Sequence, residues 1–194
     1  RECSVDRTNG QVGFCMAPGE MVIARYSLHM WEEPCISGVE GSGTVFFVGC
    51  PLGCIYCQNY KISMGTTGMG ESFSDDELAE VYMELQAQGA HNINLVTPMH
   101  FAATVADSIR LAKSKGLEIP VAANISGYDK ADTIKLFDKA AGIFLTDFKF
   151  YSPDLSEVVC GIRDYKEVAQ EALDEMIREL PSLTITACLS AAWW

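Results

Sequence analysis

From Thr44 onward the chain repeats one pattern about four times: an apolar run of strand length, then a stretch whose apolar residues recur at helical spacing. Thr44-Val45-Phe46-Phe47-Val48-Gly49 is a continuous β-branched and aromatic run, the composition of a strand buried on both faces of a parallel sheet. Residues 93–97, 119–124 and 143–147 read as further strands. The stretches from Ser74 to Gly89, Phe101 to Lys115, Lys130 to Ala140 and Tyr165 to Leu180 read as helices. The first of these is signposted by Ser74-Asp75-Asp76-Glu77, a capping box, because the serine hydroxyl and the glutamate carboxylate can each satisfy a backbone N–H at the helix start. Regular alternation with short connections dictates a parallel sheet with right-handed crossovers, either open or curled into part of a barrel. In both architectures ligands sit beyond the carboxyl ends of the strands.

That rule selects the polar residues to watch. Cys50 follows the first run, Thr97 and His100 the second, Asn124 and Ser126 the third, Asp147 and Lys149 the fourth. Neither GxGxxG nor GxxxxGK[ST] follows any run, so a nucleotide fold of those kinds lacks support.

Residues 1–43 are rich in turn formers and predict an irregular or short-stranded extension wrapped on a core spanning 44–179. Residues 180–194 form an apolar tail that does not continue the alternation. A hydrophobic fraction of 48% with 21% charged residues suits one globular domain. The formal charge of -12 repels phosphate backbones and anionic headgroups, which argues against nucleic-acid and membrane partners. With no apolar run near the roughly 20 residues of a membrane span and no apolar leader segment, the expectation is a soluble, cytoplasmic protein.

The chemistry concentrates in Cys50-Pro-Leu-Gly-Cys54-Ile-Tyr-Cys57, three thiols on a loop leaving a strand. Four cysteine ligands close an iron-sulfur cluster for electron transfer; three leave one iron open to another ligand. A structural zinc ion wants four protein ligands, and no fourth Cys or His follows Cys57 at comparable spacing, so zinc requires a distant ligand. A disulfide framework suits shorter secreted chains less tightly clustered than this.

CxxxCxxC with an aromatic residue just before the third cysteine, here Tyr56, resembles the signature of radical S-adenosylmethionine (radical SAM) enzymes. Leu28 to Gly38, Gly41 to Thr44, Cys57-Gln58-Asn59 and Asn92 to Pro98 resemble the branch related to pyruvate formate-lyase activating enzymes, over residues 1 to about 179. The resemblance implies a partial (β/α)6 TIM-like barrel of α/β class, incomplete at its C-terminal end. It implies a four-iron, four-sulfur (4Fe-4S) cluster on Cys50, Cys54 and Cys57 that cleaves S-adenosyl-L-methionine reductively, giving a 5'-deoxyadenosyl radical for hydrogen abstraction. The backbone of Thr97-Pro98 would take the place of a Gly-Gly-Glu segment at the methionine amino group. Asn124, Ser126, Asp147 and Lys149 would line the ribose and methionine end, and Tyr56 would lie near the adenine. The partners so implied are an electron donor such as flavodoxin or ferredoxin, and a glycyl-radical enzyme or other protein substrate. The alternative is a non-catalytic zinc or iron-sulfur module, or an inactive fragment of such an enzyme.

Plainer readings stand beside these. Tyr56 could pack on the barrel, Thr97 and Asn124 could cap strand ends, and Asp147 with Lys149, on one face of an extended segment, could be a structural ion pair. His29, Glu32, Glu33 and Cys35 fit no standard ligand spacing, and Pro34 interrupts any helix there. His91 reads as a hydrogen-bonded structural residue, His100 as the better candidate for substrate contact, and Cys160 and Cys188 as ordinary thiols. Cys3 and Cys15 resemble the remnant of a longer cysteine pattern of the same family.

Overall fold

The computed structural model describes residues 3–64 and 69–180, so the tail from 181 on, with Cys188, lies outside the described residues. After a 3-10 turn at Arg7–Asn9 come β1 (Met21–His29), α1 (Pro34–Ser37), β2 (Ser42–Phe47), α2 (Tyr60–Ser63) and β3 (Glu71–Phe73). The alternating part then runs α3 (Asp75–Ala87), β4 (Ile93–Val96), α4 (Ala102–Ser114), β5 (Val121–Ile125), α5 (Ala131–Lys135), β6 (Ile143–Thr146), α6 (Pro153–Cys160) and α7 (Tyr165–Glu179). Among the described residues, six strands make one open sheet in the order β3-β1-β2-β4-β5-β6. β2, β4, β5 and β6 are parallel, while β1 and β3 add an antiparallel margin. This is an α/β fold consistent with a partial barrel.

The parallel strands sit where the apolar runs predict them, with edges moved for identifiable reasons. β5 starts at Val121 because Pro120 has no N–H to give the ladder and contributes only its carbonyl, to Ile93 N–H at 2.9 Å. The helix expected over 130–140 stops at Lys135. Beyond it the bonds tighten to three-residue turns (Phe137 N–H to Ile134, Ala140 N–H to Phe137), and Lys139 takes a left-handed φ of 57°. The N-terminal extension is more regular than its turn formers suggest. β1 is nine residues long and lies against β2 with a bulge between Ile23 and Arg25, its inward Met21 and Ile23 buried in the core.

The capping box of α3 forms as predicted: Ser74 Oγ accepts from Glu77 N–H and the Glu77 carboxylate from Ser74 N–H. α3 and α4 cover one face of the sheet, burying Leu78, Tyr82, Leu85, Val105 and Ile109 against Val45, Ile93 and Leu95. Among the described residues, no helix is long and apolar enough to cross a membrane.

A second, smaller apolar cluster positions the site. Leu52, Tyr128, Phe150, Val159, Cys160, Ile162, Tyr165 and Ala169 pack together, with Cys50 and Cys54 against them. Leu52 and the Tyr165 side chain are fully buried. The loop carrying the cysteines is thus seated on α6 and α7 by burial of apolar surface.

Candidate active site

Register sets the stage. Phe46 lies beside Val96, Val96 beside Asn124 and Asn124 beside Leu145, so the carboxyl ends of the four parallel strands finish level. Cys50, Thr97, Ser126 and Asp147 leave the sheet along that one margin.

Cys50, Cys54 and Cys57 are all half-buried on the loop after β2. Burial pushes the Cys50 thiol up from its ordinary value. Backbone N–H groups of Gly53 and Leu52 bonded to its sulfur pull the other way, and the charges of Cys54 and Cys57 add to the upward push. Gly53 adopts a φ of 66° to aim its N–H there, and a side chain at this position would strike the Phe14 ring at 2.8 Å. The N-terminal segment therefore braces the loop from outside. On the inner side, Ile55 N–H donates to the Val159 carbonyl at 3.2 Å, and Cys54 Sγ lies 3.4 Å from Cys160 Sγ at the end of α6.

Donor chemistry fits an iron-sulfur cluster: three thiols share one loop, each close enough for its charge to bear on Cys50. They are not a ready-made cage. Among the described residues, no three His, Cys, Asp or Glu side chains are gathered as a metal would need, and this holds also for His29, Glu32, Glu33 and Cys35. Metal sites are commonly closed by the metal itself. Pro34 opens the short α1 instead of interrupting a helix.

Thr97 is the strained residue of the margin. It is β-branched yet has a φ of 60°, a conformation that costs about 1–2 kcal/mol, and it is held there by its N–H bond to the Asn124 carbonyl at 2.9 Å. Pro98 follows and caps the turn at Met99–Phe101. Strain retained in a residue at a strand's carboxyl end is a mark of functional sites.

The third and fourth strand ends meet on one tyrosine. Tyr165 Oη donates to the Ser126 carbonyl at 2.6 Å and accepts the Lys149 N–H at 2.8 Å. Lys149 Nζ pairs with Asp147 Oδ2 at 2.5 Å, so these two do share a face as the spacing predicts. Tyr56 lies edge-on to Phe150, with ring centroids 6.4 Å apart, and is 56% exposed. Burial, followed by the charge of Cys54, pushes its hydroxyl up to about 12.

A cavity of about 630 Å³ opens beside this cluster, walled by Arg7, Cys15, Pro51, His100, Tyr128 and Asp129. Asp129 is 7% exposed, its Oδ2 has no hydrogen-bond partner among the described residues, and burial pushes its carboxyl up to about 7. His100 Nε2 lies 2.7 Å from the Val48 carbonyl and so carries the proton, which leaves Nδ1 as an acceptor with no partner among the described residues. Burial pushes His100 down to about 4, hence neutral at physiological pH. None of Tyr56, Thr97, Asn124, Ser126, Asp147 and Lys149 is among its lining residues. His91, by contrast, accepts from the N–H groups of Val39 and Glu40 and is structural.

Three residues that matter here gave little sign in the sequence. Asp129 follows Gly127-Tyr128 with no motif to mark it, Tyr165 looks like an ordinary helix start, and Cys160 like an ordinary thiol. Only the Ser-Pro start of α6 and its Gly161 stop could have placed Cys160 on a helix end.

Comparison with known proteins bears on this geometry. Residues 44–189 match the profile of the radical SAM superfamily. The chain is also similar to an uncharacterized protein of Methanocaldococcus jannaschii, 27% identical over 175 residues, covering 86% of this chain and 48% of the relative. The chain thus spans about half the length of that curated relative.

Proposed function

We propose, from the premise that this chain belongs to the radical SAM superfamily, that it binds a 4Fe-4S cluster and S-adenosyl-L-methionine and serves hydrogen abstraction in the manner of glycyl-radical activating enzymes. The observation that carries this is the position of the Cys50, Cys54 and Cys57 loop at the carboxyl end of the first parallel strand, level with the strained Thr97. Members of the superfamily bind that cluster and that cofactor; when bound, the pair supplies one-electron cleavage of a sulfonium bond.

The chain's own residues bind and orient. Cys50, Cys54 and Cys57 are the thiolate ligands, and Gly53 and Leu52 N–H groups stabilise negative charge on the Cys50 sulfur. The Thr97-Pro98 backbone, held at that margin by the Asn124 carbonyl, would take up the cofactor's amino group. Asn124 and Ser126 offer polar contacts beside it, and Asp147 with Lys149 presents one acceptor and one donor face to a zwitterionic ligand. Tyr56 and Phe150 shelter the loop's flank from water. A one-electron donor such as flavodoxin or ferredoxin is the partner this chemistry requires, and a glycyl-radical enzyme is its proposed substrate. The net charge of -12 offers nucleic acid and anionic membrane no electrostatic attraction, and the proposed protein partners accord with a cytoplasmic setting.

The test is anaerobic reconstitution with iron and sulfide, followed by reduction in the presence of S-adenosylmethionine. Formation of 5'-deoxyadenosine supports the reading, and radical transfer to a glycyl-radical enzyme supports the finer assignment. One equivalent of zinc with no iron in protein purified without oxygen overturns both. That second reading has its own observation: Cys160 beside Cys54 supplies the distant fourth thiol that a zinc site needs.

A further inference from the structure

We propose that Cys54 and Cys160 form a disulfide when the cysteine loop carries no metal and meets a peroxide, a reversible modification that withholds the loop from reloading. The two sulfurs belong to segments 106 residues apart, yet they stand 3.4 Å from one another, in van der Waals contact. A bond needs them at about 2.0 Å. The remaining closure falls on a loop residue next to Gly53 and on the last residue of α6, followed by the left-handed Gly161. The neighbouring bond from Ile55 N–H to the Val159 carbonyl keeps the two segments in register.

Access assigns the roles. Cys54 is half-buried and reachable, whereas Cys160 is 5% exposed and packed among Leu52, Phe150 and Tyr165. Hydrogen peroxide transfers one oxygen to the Cys54 thiolate, giving a sulfenic acid and hydroxide. The Cys160 sulfur then attacks that sulfur, and the displaced hydroxyl leaves as water with the Cys160 proton. In sum, two thiols lose two electrons and two protons, and one peroxide becomes two waters. A dithiol reductant reverses the step by exchange at the more accessible Cys54 sulfur.

The consequence for metal loading rests on the reading of Cys54 as a ligand; the bond itself does not. With Cys54 tied to α6, Cys50 and Cys57 alone face the loop. A buried resolving thiol thereby protects Cys54 from irreversible oxidation to sulfinic acid.

The experiment treats metal-free protein with one equivalent of hydrogen peroxide, blocks remaining thiols, and maps disulfides by mass spectrometry of a non-reduced digest. A dominant Cys54–Cys160 peptide is expected. It should be accompanied by at least a threefold fall in iron bound on reconstitution, reversed by dithiothreitol. The mapping uses the unaltered chain, so it stands even if Cys160→Ala fails to fold. Pairing of Cys54 with Cys50 or Cys57, or no internal disulfide at all, overturns the proposal. So does a folded Cys160→Ala protein whose iron loading falls as far after peroxide, since the Cys160 sulfur is then not needed for the effect. A chain that forms the cross-link but never binds iron would instead count against the cluster alone.

Discussion

The Tyr165 hydroxyl lies 2.6 Å from the carbonyl oxygen of Ser126, so the first residue of α7 is fastened to the chain just past the end of β5. The same oxygen receives the Lys149 N–H at 2.8 Å, and the ring is fully buried against Phe150 and stacked on Tyr128. One side chain thereby sets the spacing between two strand ends that are proposed to line a single ligand. Burial pushes its hydroxyl up to about 12, so it remains a donor throughout the working range of pH.

Tyr165→Phe should therefore cost about 1 kcal/mol, because it leaves a half-buried carbonyl and a half-buried N–H short of a partner while keeping the ring's packing. Urea denaturation measures this. An unchanged midpoint would show that water replaces the hydroxyl without loss.

Gly127 is the hinge of the same corner. Its φ of 77° is left-handed, and a Cβ there would lie 2.3 Å from the Asp147 carbonyl oxygen, a clash with backbone that no rotamer relieves. Gly127→Ala should lose more than the roughly 1–2 kcal/mol of left-handed strain alone. Thermal unfolding should show a fall of several degrees, and a variant melting with the parent would remove this corner from the account.

Asp129 should make stability depend on pH in an unusual direction. Its carboxyl ionises near 3.8 when unfolded but at about 7 in the fold, where burial disfavours the charge. Below pH 4 both states are protonated. As pH rises from 4 to 7 only the unfolded state loses the proton, so stability falls, by roughly 4 kcal/mol at most, and is level above 7. Arg7, Lys130, Asp164 and His100 share the cavity with it. His100 has the opposite sign, since its depressed pKa removes stability as pH falls from 6.5 toward 4. Because the two windows overlap and their slopes oppose, Asp129→Asn should remove the falling contribution and leave stability rising with pH between about 4 and 6.5; denaturation at a series of pH values reads the change of sign.

Much of the parallel sheet was legible because its signals are local and redundant. The run from Thr44 to Val48 could be nothing but a buried strand, and the Ser74 to Glu77 box specifies one helix start. β1 was obscured because its consecutive arginine, tyrosine and serine are exposed, so alternation is imperfect, and a bulge breaks the period at Ile23/Arg25. Thr97, Ser126, Asp147 and Lys149 were placed at the sheet's carboxyl margin by the strand-end rule, which needs only the order of elements. Cys160 and Tyr165 were not, because their importance comes from contacts across more than a hundred and about forty residues respectively. Asp129 went unnoticed because no local pattern reveals its burial or the cavity it shares with Arg7 of the N-terminal segment.

Asp147 and Lys149 allow the structural and the ligand-binding readings to be separated. Their ion pair is partly exposed, with side chains 54% and 25% accessible, and pairs in such settings contribute about 0–1 kcal/mol once solvent screening is counted. Asp147→Asn and Lys149→Met should each move the denaturation midpoint little. If the pair instead faces the cofactor, each variant removes a charge that a zwitterionic ligand meets in a sheltered margin, and S-adenosylmethionine affinity should fall about tenfold, or roughly 1.4 kcal/mol. Titration of the cofactor into reconstituted protein, followed by the cluster's absorbance, decides it. Unaltered affinity in both variants leaves the pair a local ion pair on the loop after β6, and moves the methionine end of the site to Thr97 and Asn124.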